Sequence, residues 1–207
     1  MIHSEREVIE TPLLRAILNM IDTVHVGIND GVYPYVVPLS YGFDIDDERL
    51  EVYVHCALRG RKLTLMEKDP HVCCTFSTFS NFPKKMYKGH RHDYRSVMAF
   101  GVVEKLERSN DPKGYAKAIR AILDHYDRVP AKREHRGFPN FDPKGIQKMH
   151  VLKITCKREN VFGKSEFPVR TLEDVPFVDV YHMPQDDEPF DIHDLIQREK
   201  RSSAFED

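Results

Sequence analysis

The chain has 207 residues, with 31 lysines and arginines against 33 aspartates and glutamates, a formal net charge of −2 and a pI near 6.6. That length can build one domain with a full core, and the balanced charge excludes a strongly basic nucleic-acid binder. No apolar run approaches membrane-spanning length, and the charged start Met1-Ile2-His3-Ser4-Glu5-Arg6-Glu7 has no apolar stretch behind it that would make a secretory leader. The expectation is a soluble, cytoplasmic protein with neither nucleic-acid nor membrane partners.

Charge is uneven. Residues 1–170 carry 28 basic and 22 acidic side chains, a net of +6, whereas residues 171–207 carry 3 and 11, a net of −8. The division expected is a folded domain over residues 1–165 and an acidic C-terminal extension over 166–207. Of the four cysteines, Cys73 and Cys74 are adjacent. In a strand they face opposite sides, so they make neither a dithiol nor a zinc pair. Reduced, intracellular thiols are expected.

Thr11-Pro12 opens a helix, Thr as N-cap and Pro at the first helical position. Leu13, Leu14, Ile17, Leu18 and Ile21 give it one apolar stripe. Residues 23–28 alternate as a strand, and Asn29-Asp30-Gly31 is a hairpin signal. Residues 32–43 read as the partner strand, interrupted by Pro34 and Pro38; proline cannot donate to a ladder, so this strand is an edge or is bulged near Pro38. Residues 44–48 make a tight turn and 49–55 a third strand of the meander. Residues 62–68 are helical, stopped by Asp69-Pro70. Strands follow at 71–79 and 94–106, with a basic loop over 81–93 between them. Asp111-Pro112 caps a helix with apolar Tyr115, Ala118, Ile119, Ile122, Leu123 and Tyr126. A polar, basic loop over 129–143 leads to the strand at 149–156, read with His150, Leu152 and Ile154 outward. Six strands, mostly antiparallel, with flanking helices predict a mainly β small barrel. A Rossmann fold would need a Gly-x-Gly-x-x-Gly and regular βαβ alternation, and the chain has neither.

One stretch carries chemistry. In His55-Cys56-Ala57-Leu58-Arg59-Gly60-Arg61-Lys62 a strand runs through one glycine into a helix start with two cations. The first helical turn offers unpaired N–H groups and a partial positive charge, and Arg61 can grip oxygens bidentately. The pattern suits a phosphate; a solvated basic helix start is the plainer alternative. Other temptations have plainer readings. His90-Arg91-His92 with His71 lacks a Cys or carboxylate partner at ligand spacing, so a basic loop outweighs a metal site, and no metal is expected. Lys84, Lys85, Lys88 and Arg91, near Phe82 and Tyr87, form either surface charge or a site for an anionic ligand. Cys56 reads as a small buried hydrophobe. In the tail, Ile192, Leu195 and Ile196 share one face of a short helix or a disordered segment.

Taken together, three segments resemble the FMN-binding split-barrel superfamily, the pyridoxamine 5′-phosphate oxidase-like group, and most closely its nitroimidazole-resistance (Nim-like) branch. They are Pro34-Tyr35-Val36-Val37-Pro38-Leu39-Ser40-Tyr41-Gly42-Phe43, Val54 to Lys62, and Tyr94-Arg95-Ser96-Val97-Met98-Ala99-Phe100-Gly101. Glu159-Asn160-Val161-Phe162-Gly163-Lys164 is a weaker fourth, and the likeness covers about residues 5–165. The resemblance implies a six-stranded antiparallel split β-barrel that forms a homodimer, with FMN, or FAD as the alternative, in a groove at the subunit interface. It implies that Val37, Pro38, Leu39 and Ser40 lie along the flavin ring and that His55, Cys56 and Ala57 lie by the ribityl chain. Arg61 and Lys62 would grip the phosphate, and Tyr94, Arg95, Ser96 and Val97 would approach from the other subunit, with Lys164 near the domain's end. His55 would be a cofactor contact; no catalytic acid or base stands out. The C-terminal Arg-x-His substrate motif of pyridoxamine-phosphate oxidases is absent, which argues against vitamin B6 oxidation. The implied activity is an oxidoreductase that takes electrons from a reduced donor and passes them to a small electron-poor acceptor, such as a nitro compound or quinone. A flavin carrier or sensor without turnover, and a haem-binding relative, are the alternatives.

Overall fold

The computed structural model describes residues 3–81, 92–128, 149–166 and 169–175. The segments read as loops over 82–91 and 129–143, and the tail stretch around Ile192, lie outside them. After a 3-10 turn at Ser4–Arg6, the elements are β1 (Glu7–Val8), α1 (Thr11–Met20), β2 (Val24–Ile28), β3 (Tyr35–Leu39), β4 (Tyr41–Ile45), β5 (Arg49–Ala57), α2 (Arg61–Lys68), β6 (His71–Asn81), β7 (His92–Leu106), α3 (Pro112–Arg128), β8 (Met149–Lys157) and β9 (Val161–Ser165). Among the described residues there are nine strands, not six. They form one antiparallel sheet curled into an open half-barrel with three helices.

The main path runs β3-β2-β6-β7-β8-β5-β4. Residues 32–43 are therefore not one strand. β3 pairs with β2 and β4 pairs with β5, and the chain crosses from one end of the sheet path to the other through Ser40. The expected three-strand meander fails for the same reason. The edge position expected for the proline strand holds: β3 ends the path, and Pro38 sits opposite His25. β7 is long enough to serve two neighbours. Its first part pairs with β9 (Arg95↔Ser165 to Ala99↔Val161), its second with β8 (Val102↔Thr155 to Leu106↔Val151), and β1 completes the β9 edge. β1 is two residues long and β9 holds a glycine, so neither shows a clear strand pattern.

The inner face of the sheet carries Val24, Val26, Val52, Val54, Val72, Cys74, Phe76, Val97, Ala99, Leu152, Ile154 and Cys156. α1 closes this core with Leu13, Leu14, Ile17 and Leu18, the stripe visible in its sequence. Each such burial stabilises by about 1.5–3 kcal/mol. Thr11 is the first residue of α1 rather than its cap; Glu10 takes that position, and the Thr11 hydroxyl donates to Asp47 at 2.6 Å. At the other end of α1, the Ile21 carbonyl accepts from His125 Nε2 at 2.8 Å, and the Tyr41 hydroxyl lies 2.8 Å from the Leu18 carbonyl, its acceptor. His125 thus ties α3 to the end of α1.

A second cluster lies on the opposite face, where Tyr53, Leu106 and Val151 meet Ala118 and Ile122 of α3. β5 and β8 are buried on both faces, so Leu152 and Ile154 point into the core and not outward, while Val151 is buried behind them. Alternation carries no direction when both sides are covered. Val169 and Val175 also join the main core. Arg95 Nη2 holds this strap by donating to the Asp174 carbonyl at 3.2 Å. No helix among the described residues is long and apolar enough to cross a membrane.

α3 lies on β4 at Gly42, where an added Cβ would stand 2.2 Å from the Ala121 carbonyl carbon. Backbone cannot yield as a side chain can. Gly42→Ala is expected to lower unfolding free energy by about 1–3 kcal/mol in urea denaturation. Gly27→Ala, whose Cβ meets nothing nearer than 3.6 Å, should stay within about 0.5 kcal/mol.

Candidate functional site

The site grows from the Ser40 crossing. The β4–β5 ladder ends at Tyr41↔Val54, because the next residues back, Ser40 and Leu39, turn away to follow β2. β5 runs on to Ala57, where its strand neighbour among the described residues is β8 alone: Cys56 faces His150 and Ala57 faces Met149. On its side away from β2, β3 has no strand neighbour among the described residues. The β3 edge and the end of β5 therefore bound an opening lined with backbone polar groups.

α2 starts at this opening. Gly60 takes φ 147°, in the region that favours glycine, and swings the chain from β5 into the helix. No side chain caps the helix. The amides of Leu63 and Thr64 bond back to the Gly60 carbonyl at 3.0 and 3.4 Å. By position, the amides of Arg61 and Lys62 have no intrahelical acceptor. Anions are stabilised at such an end, which carries about half a unit of positive charge.

The two cations point differently. Arg61 reaches the β2–β3 side: its Nε donates to Asp30 Oδ2 at 2.8 Å, its Nη2 donates to the same oxygen, and its guanidinium carbon lies 5.9 Å from the centre of the Tyr35 ring on β3. Lys62 acts on β5. Its charge helps to lower the pKa of the half-buried His55, after the larger effect of desolvation. At Cys56 burial pushes the thiol pKa up and Lys62 pulls it partly back, so the thiol stays protonated at neutral pH. His55 and Ala57 point to the outer face, while Cys56, 5% exposed, points into the core.

The fold thus brings together Val37, Pro38, Leu39 and Ser40, the run His55, Cys56 and Ala57, and Arg61 with Lys62. Within one chain it does not bring Tyr94, Arg95, Ser96, Val97 or Lys164 to them, since β2 and β6 lie between β3 and β7. Ser96 pairs with Lys164 on the β7–β9 ladder. Val97 is fully buried. Arg95 is 3% exposed and ion-paired with Asp93, so its charge is spent inside the domain. From that segment Tyr94, Ser96 and Lys164 are half-buried. Asp30 and Tyr35 were not singled out as site residues. Asp30 read as turn chemistry in Asn29-Asp30-Gly31, and nothing in the spacing links position 30 to 61. Among the described residues, no group of three or more His, Cys, Asp and Glu side chains could hold a metal ion, and His71 instead meets Asp69 at 2.7 Å.

A family model described as pyridoxamine 5′-phosphate oxidase matches residues 13–161. The chain belongs to this family. No curated protein sequence matches it. Solved structures share the fold. One, provisionally described as a 5-nitroimidazole antibiotic resistance protein from Bacteroides thetaiotaomicron, is 24% identical, with a TM-score of 0.54 over 77% of this chain and 88% of that one. The FAD and haem binding protein of Mycobacterium smegmatis is 16% identical, with a TM-score of 0.57 over 89% and 94%. A flavocytochrome from Azotobacter vinelandii is 21% identical, with a TM-score of 0.54 over 92% and 91%. The family match spans the whole opening, from α1 to the start of β9, and the neighbours include both flavin and haem binders.

The His55–Lys62 coupling can be measured. His55 titrates below its ordinary value of 6.5 in the folded chain. The unfolded chain therefore takes up this proton first, and the stability due to neutral His55 is full above pH 6.5 and is lost as the pH falls through that value toward the lowered one. Lys62→Gln should raise the His55 pKa in an NMR titration and weaken the acid dependence of stability; an unmoved pKa would show that burial alone sets it.

Proposed function

We propose that the chain binds FMN in the opening between the β3 edge, the end of β5 and the start of α2, and works as an oxidoreductase that reduces a small electron-poor acceptor such as a nitro compound or quinone. The observation that carries this reading is the convergence, in one place, of an unpaired strand edge and a helix start bearing Arg61 and Lys62. A flavin needs polar backbone along its ring edge and cations at its phosphate. The phosphate end suits a monoester such as FMN; FAD is the alternative, since one solved neighbour binds it.

A bound flavin supplies two-electron redox chemistry. The chain's own part is to bind, orient and exclude water. Val37, Pro38 and Leu39 offer main-chain groups along the edge, with Pro38 leaving no amide to satisfy. Lys62 supplies charge beside β5, and His55, held neutral near pH 7 by burial and Lys62, offers a hydrogen bond without adding a cation. Reduced donor and acceptor would reach the ring in turn.

A homodimer fits the same reading. On the outer face, β7 exposes Met98, Phe100 and Val102, β9 exposes Phe162, and β3 exposes Val36. Phe100 and Phe162 stand 6.2 Å apart edge to face. Such a contiguous apolar face supports association, and a second copy placed there would bring another β7, with Tyr94 and Ser96, toward a cofactor. Sedimentation should report a dimer, and Phe100→Glu should shift it toward monomer.

The cofactor test is direct. Purified protein should be yellow, with a flavin spectrum, and Arg61→Ala with Lys62→Ala should weaken FMN binding at least tenfold, the loss of two charge-assisted contacts at about 1.5–3 kcal/mol each. Unchanged affinity would reject the site. A Soret band instead would favour the haem-binding alternative. With FMN bound, anaerobic NADH or NADPH should bleach the flavin; a spectrum that no donor bleaches would leave a carrier or sensor.

A further inference from the structure

We infer that Asp30 and Tyr35 are positioning residues that hold Arg61 ready for a phosphate monoester, an inference that rests on the cofactor reading above. Arg61 is the first residue of α2, and its side chain is 66% exposed. A long exposed side chain would ordinarily sample many rotamers. Here it is held from two sides. Asp30, only 19% exposed at its side chain, accepts from Nε at 2.8 Å and from Nη2 through the same oxygen, Oδ2. The Tyr35 ring lies against the guanidinium at 5.9 Å, within cation–π range.

The grip is side-on. It uses the Nε proton and one Nη2 proton, and leaves the second Nη2 proton with both protons of Nη1. Those form the end-on fork, which matches two oxygens of one phosphate. The loop that carries Asp30 is itself ordered locally: Gly31 at φ 77° donates its amide to the Asn29 side chain at 3.2 Å. Asp30 cannot favour an anion by its charge, which opposes that of a phosphate. Its contribution is geometric, while Lys62 and the α2 start supply the attraction. Orientation fixed before binding removes an ordering cost that a free side chain would incur on binding.

Charge and geometry can be separated with Asp30→Asn and Asp30→Ala, which remove the same charge. Asn keeps an acceptor oxygen; Ala does not. The measurements are affinities for FMN and for riboflavin, which lacks the phosphate, with thermal unfolding of each variant alongside. Positioning predicts that Asp30→Asn binds FMN at least as tightly as the parent, that Asp30→Ala binds it about three- to tenfold more weakly, and that riboflavin affinity is the same in all three. Tyr35→Phe should retain FMN affinity and Tyr35→Leu should lose part of it. Tighter or unchanged FMN binding by Asp30→Ala would overturn the inference, because Asp30 would then only compete with the phosphate or do nothing there. An equal loss for riboflavin, with a lowered melting temperature, would also overturn it in favour of a structural role. The reading beneath it fails separately: if Arg61→Ala leaves the preference for FMN over riboflavin intact, the phosphate does not sit on Arg61 at all.

Discussion

Everything in this structure depends on where the chain stops pairing as β4 and starts pairing as β3. The two strands are separated by Ser40 alone, yet they lie at opposite ends of a seven-strand path. A single residue of link forces those ends close together, so the sheet must curl. A flat sheet of antiparallel strands at about 4.8 Å spacing would hold them roughly six spacings apart. Because the two edges diverge at Ser40 rather than zip together, the curl stays open, and the gap is lined by main chain that a closed barrel would have paired. Pro38 sits on β3 where a fully paired strand could not accept it.

The rest of the sheet accommodates this curl. β7 serves β9 with one part and β8 with the other, which lets the sheet divide without breaking. Glycines mark the tightest approaches. Gly42 admits α3 onto β4, and Gly101 faces Cys156, where a Cβ would lie 2.5 Å from Sγ. α1 fills the open core with aliphatic side chains, and its last carbonyls find donors on β4 and α3. The site then occurs where packing ends. One of its cations is held by Asp30, and, after the larger effect of burial, the charge of the other lowers the pKa of His55 on β5.

Much of this was legible in the chain. The α1 stripe was read correctly because one face is buried and one is solvated, the condition under which periodicity carries information. Residues 23–28, 71–79 and 94–106 showed as strands through their alternation and their β-branched and aromatic content, though β6 and β7 run further, to Asn81 and from His92. The start of a helix at Gly60-Arg61-Lys62 was visible because helix-terminus signals are local. What failed were features set by distant partners. Leu152 and Ile154 were turned the wrong way because α3 covers the other face. Nor could the strand segment show that Arg95 turns inward to Asp93 and the Asp174 carbonyl. Nothing in the α3 sequence showed that His125 would meet the Ile21 carbonyl at the end of α1.

Local signals in the chain were enough for the β-rich class, the helix that plugs the core, the edge character of the proline strand and the glycine-led helix start with two cations. Each is a local property, written in propensity, periodicity and capping within about a dozen residues. Tertiary structure alone decided that residues 32–43 divide at Ser40, that nine strands share one open sheet, and that Asp30 and Tyr35 stand against Arg61. Those outcomes rest on which segments pair and pack, β3 with β2, β4 with β5, and Arg61 with Asp30, 31 positions away. No local preference encodes such a pairing, because its free energy comes from burying both partners against the same core.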